Sequence, residues 1–188
     1  MFKNISTPNL SDAGAYTLNL KPIIDIDKVV YGEAVTVEVD EKDWGTVVKA
    51  ISYARNKVLV VKVHGNLAVF GGLATLNCKV KGVKGVVIDG YVRDLEDIKK
   101  LNFPVFARGV NPKAGKPLDR GKINIPIEID NITVYPGDII VGDINGVVVI
   151  KKEDLDKILK RVIEIKNKEK VIREKILRGY DLKDILKL

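Results

Sequence analysis

Several residue types are nearly missing from this chain. It has one cysteine (Cys78), one histidine (His64), one tryptophan (Trp44), one methionine (Met1) and no glutamine. A lone cysteine excludes an internal disulfide and any multi-cysteine metal site. A lone histidine excludes zinc centres built on several imidazoles. A bound metal would therefore be a hard cation held by oxygen, such as Mg²⁺ or Mn²⁺. No apolar run approaches the roughly 20 residues that span a bilayer. The opening Met1-Phe2-Lys3-Asn4 has no apolar signal core behind it, so a cytoplasmic protein without membrane attachment is expected. Aromatics make up 6% of the chain and no ribonucleoprotein-type motif is visible, which argues against direct reading of nucleic acid. A Gly-rich nucleoside-binding turn followed by an acidic ribose ligand is also missing, which argues against a methyltransferase.

What is present fits one globular domain over residues 1–188. The chain is 46% hydrophobic and 30% charged, a folded balance rather than a disordered one. The net charge of +7 is unevenly spread. Residues 151–188 hold 13 Lys/Arg and 8 Asp/Glu, leaving 19 and 17 for the body. Lys and Glu are interleaved in that tail, the pattern of a solvated helix face rather than a nucleic-acid arm. Abundant Lys, Ile and Val with so little Cys, Met and Gln matches a heat-adapted protein.

Hydrophobic periodicity predicts a helix entered at Thr7-Pro8 and a strand over 29–39, with Val35, Val37 and Val39 facing one way and Thr36 and Glu38 the other. Helices are expected over 43–55, 71–81 and 95–101, and strands over 57–64, 85–89 and 104–108. This alternation points to βαβ units and a partly parallel sheet. Past Gly109 comes a Pro/Gly/Lys loop over 111–121, then three short strands over 123–129, 132–135 and 146–150. Turns are expected at Asp130-Asn131, Pro136-Gly137-Asp138 and Asp143–Gly146. A long amphipathic helix over 153–178 begins the C-terminal helix and tail (152–188). Its apolar stripe runs Leu155, Leu159, Val162, Ile165, Ile172, Ile176, with Glu169 at the skipped step.

The densest chemical signal is Gly71-Gly72-Leu73-Ala74-Thr75 followed by Gly85 to Asp94. Paired glycines at a helix start let backbone N–H groups approach an anion, and the helix dipole favours negative charge there. Arg93 and Asp94 follow a buried strand, where open α/β sheets place ligand crevices. An arginine grips a carboxylate or enolate, and an aspartate holds a divalent metal. The set suits a small 2-oxo acid. The remaining polar residues have ordinary readings. His64 is a strand-end residue, Cys78 an inert small hydrophobe, and Trp44 and Tyr91 packing residues. Asp89 and Asp143 belong to turns, and Arg108 pairs with a nearby carboxylate.

Gly71–Thr75, Gly82–Gly90, Val92-Arg93-Asp94, Phe103–Gly109, Ile125-Pro126, Pro136-Gly137-Asp138 and Asp143–Ile150 together resemble the signature of the RraA-like family. The likeness runs from Thr7-Pro8 to the final helix. It implies a single-domain α/β sandwich of the ββα, swivelling-domain type, with a mixed sheet and a long C-terminal helix. It further implies a trimer or trimer pair with sites between subunits. The family includes class II aldolases of 4-hydroxy-4-methyl-2-oxoglutarate and 4-carboxy-4-hydroxy-2-oxoadipate that also decarboxylate oxaloacetate. It also includes non-catalytic regulators that bind a ribonuclease. The resemblance thus implies a divalent-metal lyase on small 2-oxo acids, or alternatively a regulator working through a protein partner. By the same resemblance, Arg93 is catalytic, binding the 2-oxo group and steadying the enolate. Gly72, Leu73, Ala74 and Thr75 receive the substrate carboxylate, and Asp94 holds Mg²⁺ or Mn²⁺. Asp97 adds charge behind that ligand, and Glu169 approaches the metal from the neighbouring subunit. In the family's aldolases an Asp precedes the Arg-Asp pair by twenty intervening residues; residues 73–92 fill that interval here, and position 72 is Gly.

Overall fold

A computed structural model describes Phe2 and residues 5–188. Positions 1, 3 and 4, part of the stretch behind the expected cytoplasmic location, lie outside the described residues. Among the described residues no helix is long and apolar enough to cross a membrane.

A sheet of four parallel strands forms the centre: β3 (Val30–Asp40), β4 (Val58–His64), β6 (Gly85–Val92) and β7 (Val105–Val110). Their near-continuous apolar runs are explained by cover on both faces. Leu59, Val61, Val86 and Ile88 face one core, shared with helices α2 (Gly45–Ala50), α3 (Gly72–Lys81) and α4 (Leu95–Lys100). Val58, Val60, Val87 and Phe106 face a second core. That core is closed by the antiparallel strands β1 (Tyr16–Leu18), β11 (Ile139–Asp143) and β12 (Gly146–Ile150) and by the hairpin of β9 (Ile127–Ile129) and β10 (Ile132–Val134). A third core lies beyond, where Val141, Val148 and Ile150 meet helix α1 (Thr7–Asp12) and the long helix α5 (Leu155–Leu177) through Leu10, Ile158 and Val162. The layers therefore run helices, sheet, sheet, helices.

Strand β3 joins the two sheets. Residues 30–33 pair antiparallel with β11, while residues 34–40 pair parallel with β4. The strand path ends at β1 on one side and at β2 (Lys21–Pro22), paired to β7, on the other. Asn19-Leu20 connect these two ends directly, so the sandwich is nearly closed on itself.

The fold is mixed α/β, with a multi-strand mixed sheet and a long C-terminal helix, as expected. Particulars differ. Thr36 points away from Val35 and Val37 as predicted but is fully buried, its hydroxyl donating to the Ile125 carbonyl at 2.6 Å. The stretch expected to be three strands past residue 121 contains five: β8 (Lys122–Ile123) and β9 split what reads as one, and β11 lies between two expected turns where the pattern assigns no element. Gly142 hides β11 in the pattern, yet a Cβ there would meet the Phe106 ring at 2.5 Å, so packing demands its glycine. Strand β6 runs on to Val92 because β5 (Ala68–Phe70), also unforeseen, pairs with its end. Helix α5 buries Ile158 and Val162, each contributing about 1.5–3 kcal/mol. Beyond Ile165 its apolar residues are largely exposed. It ends at Gly179 (φ 91), and a short helix α6 (Leu182–Leu186) follows.

Candidate active site

Two strand–turn–helix units deliver the candidate residues to one place. Strand β5 runs into Gly71-Gly72 and α3, and its parallel neighbour β6 runs into Arg93-Asp94 and α4. The Arg93 amide donates to the Phe70 carbonyl at 3.0 Å, locking the two turns side by side. Asp94 adopts a left-handed backbone (φ 60, ψ 45) at the start of α4, a conformation that Asp tolerates better than most residues. This turn sends its carboxylate back to α3, where Oδ2 accepts the Gly72 amide at 3.0 Å.

The two glycines are required by space. Gly71 is in extended backbone (φ −164). A Cβ on it would meet Asp94 Oδ2 at 2.5 Å and Arg93 Cγ at 3.1 Å, and a Cβ on Gly72 would meet Asp97 Oδ2 at 2.8 Å. Removing both side chains lets two carboxylates from α4 crowd the N-terminus of α3. The Thr75 amide and hydroxyl both donate to the Gly71 carbonyl at 2.9 Å, and Thr75 is fully buried. Only the first-turn amides of Leu73 and Ala74 are left facing outward without an intrahelical acceptor. Of the predicted substrate contacts, Gly72 and Thr75 thus shape the turn, while Leu73 and Ala74 offer donors.

Arg93 Nε stands 3.6 Å from Asp94 Oδ2, with both side chains about half exposed (46% and 40%). They edge a cavity of about 170 Å³ walled by Trp44, Val48, Phe70, Leu73, Ala74 and Ala114, among others. Drug-sized ligands usually occupy about 300–1,000 Å³, so this space suits a much smaller molecule. Its interior is apolar, with one cation and one anion at the rim.

Trp44 and Ala114 come from segments that sequence reasoning did not assign to the site. Trp44 Nε1 donates to the Gly115 carbonyl at 3.1 Å, and the Ala68 amide donates to the Lys113 carbonyl at 2.8 Å. The same loop is held from below by Asp43, which is fully buried. Its carboxylate accepts the Asp119, Arg120 and Gly121 amides at 2.7–3.0 Å and the Thr46 hydroxyl at 2.7 Å. Burial pushes the Asp43 pKa up, but these hydrogen bonds outweigh it and hold the carboxyl well below the usual range. The only sequence hint was an Asp-Trp pair ahead of a helix.

The other polar residues fall outside the cleft. Asp89 caps no turn; it accepts from Lys62 Nζ and Arg108 Nε, both at 2.6 Å, on the opposite face of the sheet. Arg108 also pairs with Asp130 at 2.6 Å. Asp143 accepts the Asn145 amide at 2.8 Å and the Thr7 hydroxyl at 2.6 Å. His64 is exposed and stands 2.9 Å from Glu38. Burial drives the Cys78 thiol up to about 12, so it stays protonated and inert. Asp97 sits beside Gly72, next to the cavity but not among the residues that line it, and near Lys100 (3.8 Å). Glu169 is on α5, in the opposite outer layer, where it accepts from Asn9 Nδ2 at 3.0 Å on the surface. The chain's own fold does not bring it to Asp94.

Paired β-turn-α units presenting an Arg-Asp turn to a helix N-terminus define an α/β protein with a small cavity at that turn. The family model described as RraA-like, Aldolase/RraA, matches residues 7–149, and the chain belongs to that family. It is 58% identical to an uncharacterized protein of Methanocaldococcus jannaschii, covering 100% of this chain and 93% of the relative. It is 38% identical to a Halalkalibacterium halodurans protein that carries the provisional name 4-hydroxy-4-methyl-2-oxoglutarate aldolase, over 85% of this chain and 79% of that one. Among solved structures, the RNA-processing inhibitor RraA of Thermus superposes with a TM-score of 0.70 at 25% identity, covering 78% of this chain and 93% of its own.

Proposed function

We propose that the protein is a divalent-metal-dependent lyase that cleaves small 2-oxo acids to release pyruvate, by retro-aldol fission or decarboxylation. The observation that carries this reading is the Arg93-Asp94 turn, half exposed and loosely paired, beside outward amides at the mouth of a small cavity. Ligand sites of small molecules place a few convergent polar groups on an otherwise apolar cavity, as this turn does.

The donor set fits a hard cation. Asp94 and Asp97 offer only oxygen, and among the described residues no three His, Cys, Asp or Glu side chains converge. With Asp94 as the direct ligand and Asp97 behind it, most of the sphere would be left to water, as Mg²⁺ and Mn²⁺ prefer. Such an ion, when bound, supplies Lewis-acid polarisation of the ketone. The protein's own groups do the rest. The amides of Leu73 and Ala74 receive the substrate carboxylate at the positive end of α3. Arg93 donates to the 2-oxo oxygen and stabilises the negative charge that grows there as the C3–C4 bond breaks. Asp97, whose carboxylate fills the space where a side chain on residue 72 would begin, is placed to take the C4 hydroxyl proton. Trp44, Val48 and Phe70 keep water from the enolate.

The test is incubation with Mg²⁺ or Mn²⁺ and a panel of 2-oxo acids, including oxaloacetate and 4-hydroxy-4-methyl-2-oxoglutarate, with pyruvate as readout. Metal-dependent pyruvate release is expected with at least one of them. Gly72, in place of the aldolases' Asp, favours the second reading, a non-catalytic regulator acting on a protein partner; silence across the panel would select it.

We further propose that a second copy of the chain completes the site. We place Glu169 at a neighbour's metal site in a ring, a trimer or a pair of trimers, since the apolar end of α5 is uncovered and symmetric closure is usual. Mixing Glu169→Ala with Asp94→Ala subunits should restore part of the activity that each parent lacks. A monomer by light scattering, or full activity in Glu169→Ala, removes Glu169 from the site.

A further inference from the structure

The edge of the sheet opposite the cleft gathers charge. At the N-terminal ends of β4 and β6, Arg55 and Lys81 line one depression with Ser52 and Val80. Lys28 and Lys84 line a second with Tyr31 and Asn56. The two are neighbours, tied by the Asn56 amide donating to the Gly82 carbonyl at 2.8 Å and the Lys84 amide to the Lys57 carbonyl at 2.9 Å. Lys57 lies between them and is the one cation here with an ion-pair partner among the described residues, Glu33 at 3.3 Å. Asp27, next to Lys28 in sequence, is the other nearby carboxylate. Five cations thus face two anions on one edge, although the body as a whole carries only a small net charge. Tyr31 stands 40% exposed in the same depression as Lys28 and Lys84, its ring 5.1 Å from that of Phe2.

We propose that this basic edge binds single-stranded nucleic acid. A groove of unpaired cations tracks a phosphate backbone, and an exposed aromatic face accepts a base without regard to sequence. Tyr31 is what favours nucleic acid over an acidic protein surface, which would use the lysines and leave the ring idle. Composition pointed the other way because the cations are scattered in sequence at 28, 55, 57, 81 and 84, and only the strand register brings them together. The charged tail at 151–188 plays no part in this site. Because the edge lies at the opposite end of the strands from Arg93 and Asp94, binding here is independent of the lyase reading.

The test uses the full chain and a labelled oligouridylate of about ten nucleotides, followed by fluorescence anisotropy. Binding should weaken by about a hundredfold between about 50 and 200 mM salt if some five phosphates are neutralised. The variant Arg55→Glu/Lys81→Glu/Lys84→Glu should lose at least about thirtyfold in affinity, and its fold is checked by circular dichroism. Tyr31→Leu, which keeps an apolar contact with Phe2, should lose about fivefold for the oligonucleotide and nothing for poly-glutamate. Pyruvate release by these variants should match wild type. Three outcomes overturn the proposal: no binding at low salt, binding unchanged in the triple variant but lost in Lys168→Glu/Lys170→Glu, or poly-glutamate competing equally with no effect of Tyr31→Leu.

Discussion

Two carboxylates near the end of strand β6 have opposite fates. Asp89 turns toward the second core, where it is 8% exposed and receives two cations at 2.6 Å. Arg108 in turn binds Asp130, whose carboxylate also accepts the Asn19 amide at 2.7 Å. Burial pulls the Arg108 pKa down and the Asp130 pKa up, but the hydrogen bonds between them win in both directions, so both stay charged. Five residues later Asp94 sits on the other side of the sheet, half exposed, with one amide and a guanidinium at 3.6 Å. In the first cluster each Asp89 oxygen is already paired with a cation of the fold. The second holds its groups in position and leaves them available. The difference is a practical criterion: a buried carboxylate paired through both oxygens with cations of the fold is structural, and one held by a single backbone donor at a cavity mouth is a candidate for chemistry.

The comparison breaks if Asp94 turns out to be structural. Asp94→Asn keeps a residue that accepts the left-handed backbone and retains an oxygen for the Gly72 amide, but removes the charge. Pyruvate release should fall by about 10²–10³-fold, as should that of Arg93→Ala, with little change in melting temperature. Persistent activity in Asp94→Asn and in EDTA would refute the assignment. Asp89→Ala should do the reverse. It leaves Lys62 without its carboxylate and Arg108 with Asp130 alone, which costs about 3 kcal/mol and lowers the melting temperature by about 8 °C for a chain of this length, while activity per folded molecule survives.

A smaller effect is expected at Asp43, which supports the cavity wall without lining it. Asp43→Asn should cost about 2 kcal/mol at neutral pH, because hydrogen bonds to a charged acceptor are lost. The carboxyl is held below its ordinary value in the folded state, so its contribution is fully present above about pH 4 and is lost as pH falls through the folded value. Urea denaturation at descending pH should therefore show the gap between wild type and variant narrowing only below about pH 4. If the gap is constant with pH, Asp43 is not acting as an anion.

Much of this was legible in the sequence, and for identifiable reasons. The parallel strands announced themselves because burial on both faces makes apolar runs such as Val58–Val61. The Arg-Asp turn was visible because it follows directly on such a run. What could not be read were contacts made by close approach. Strands β2 and β5 have two and three residues and no periodicity. The glycine in β11 reads as a breaker until Phe106 is seen against it. Trp44 and Ala114 reach the cleft through backbone carbonyls, which leave no mark on residue type. Asp89 was read as a turn residue because Gly follows it, whereas its partners come from neighbouring strands.

The smallest expected effect concerns position 72 itself. Supplying the aldolases' carboxylate by Gly72→Asp looks like a simple gain, and the backbone allows it, since Gly72 is not among the glycines with positive φ. Space does not. The new Cβ would lie 2.8 Å from Asp97 Oδ2 and 2.9 Å from Asp97 Cβ, and the two like charges would repel. Asp97 is exposed on α4 and able to swing outward, so the variant should fold, yet one carboxylate merely replaces another. Turnover of Gly72→Asp should stay within about threefold of wild type. Asp97→Ala alone should lose about tenfold or more, as removal of an acid–base group does. Gly72→Asp/Asp97→Ala should recover most of that loss, because the neighbouring charge and the carboxylate in the way are gone and only the retained Cβ of residue 97, 2.9 Å from the new Cβ, has to shift. The four rates form a double-mutant cycle with strong coupling between positions 72 and 97. Additive effects would show that the two carboxylates do not share a place, and that Asp97 works by charge alone from behind Asp94.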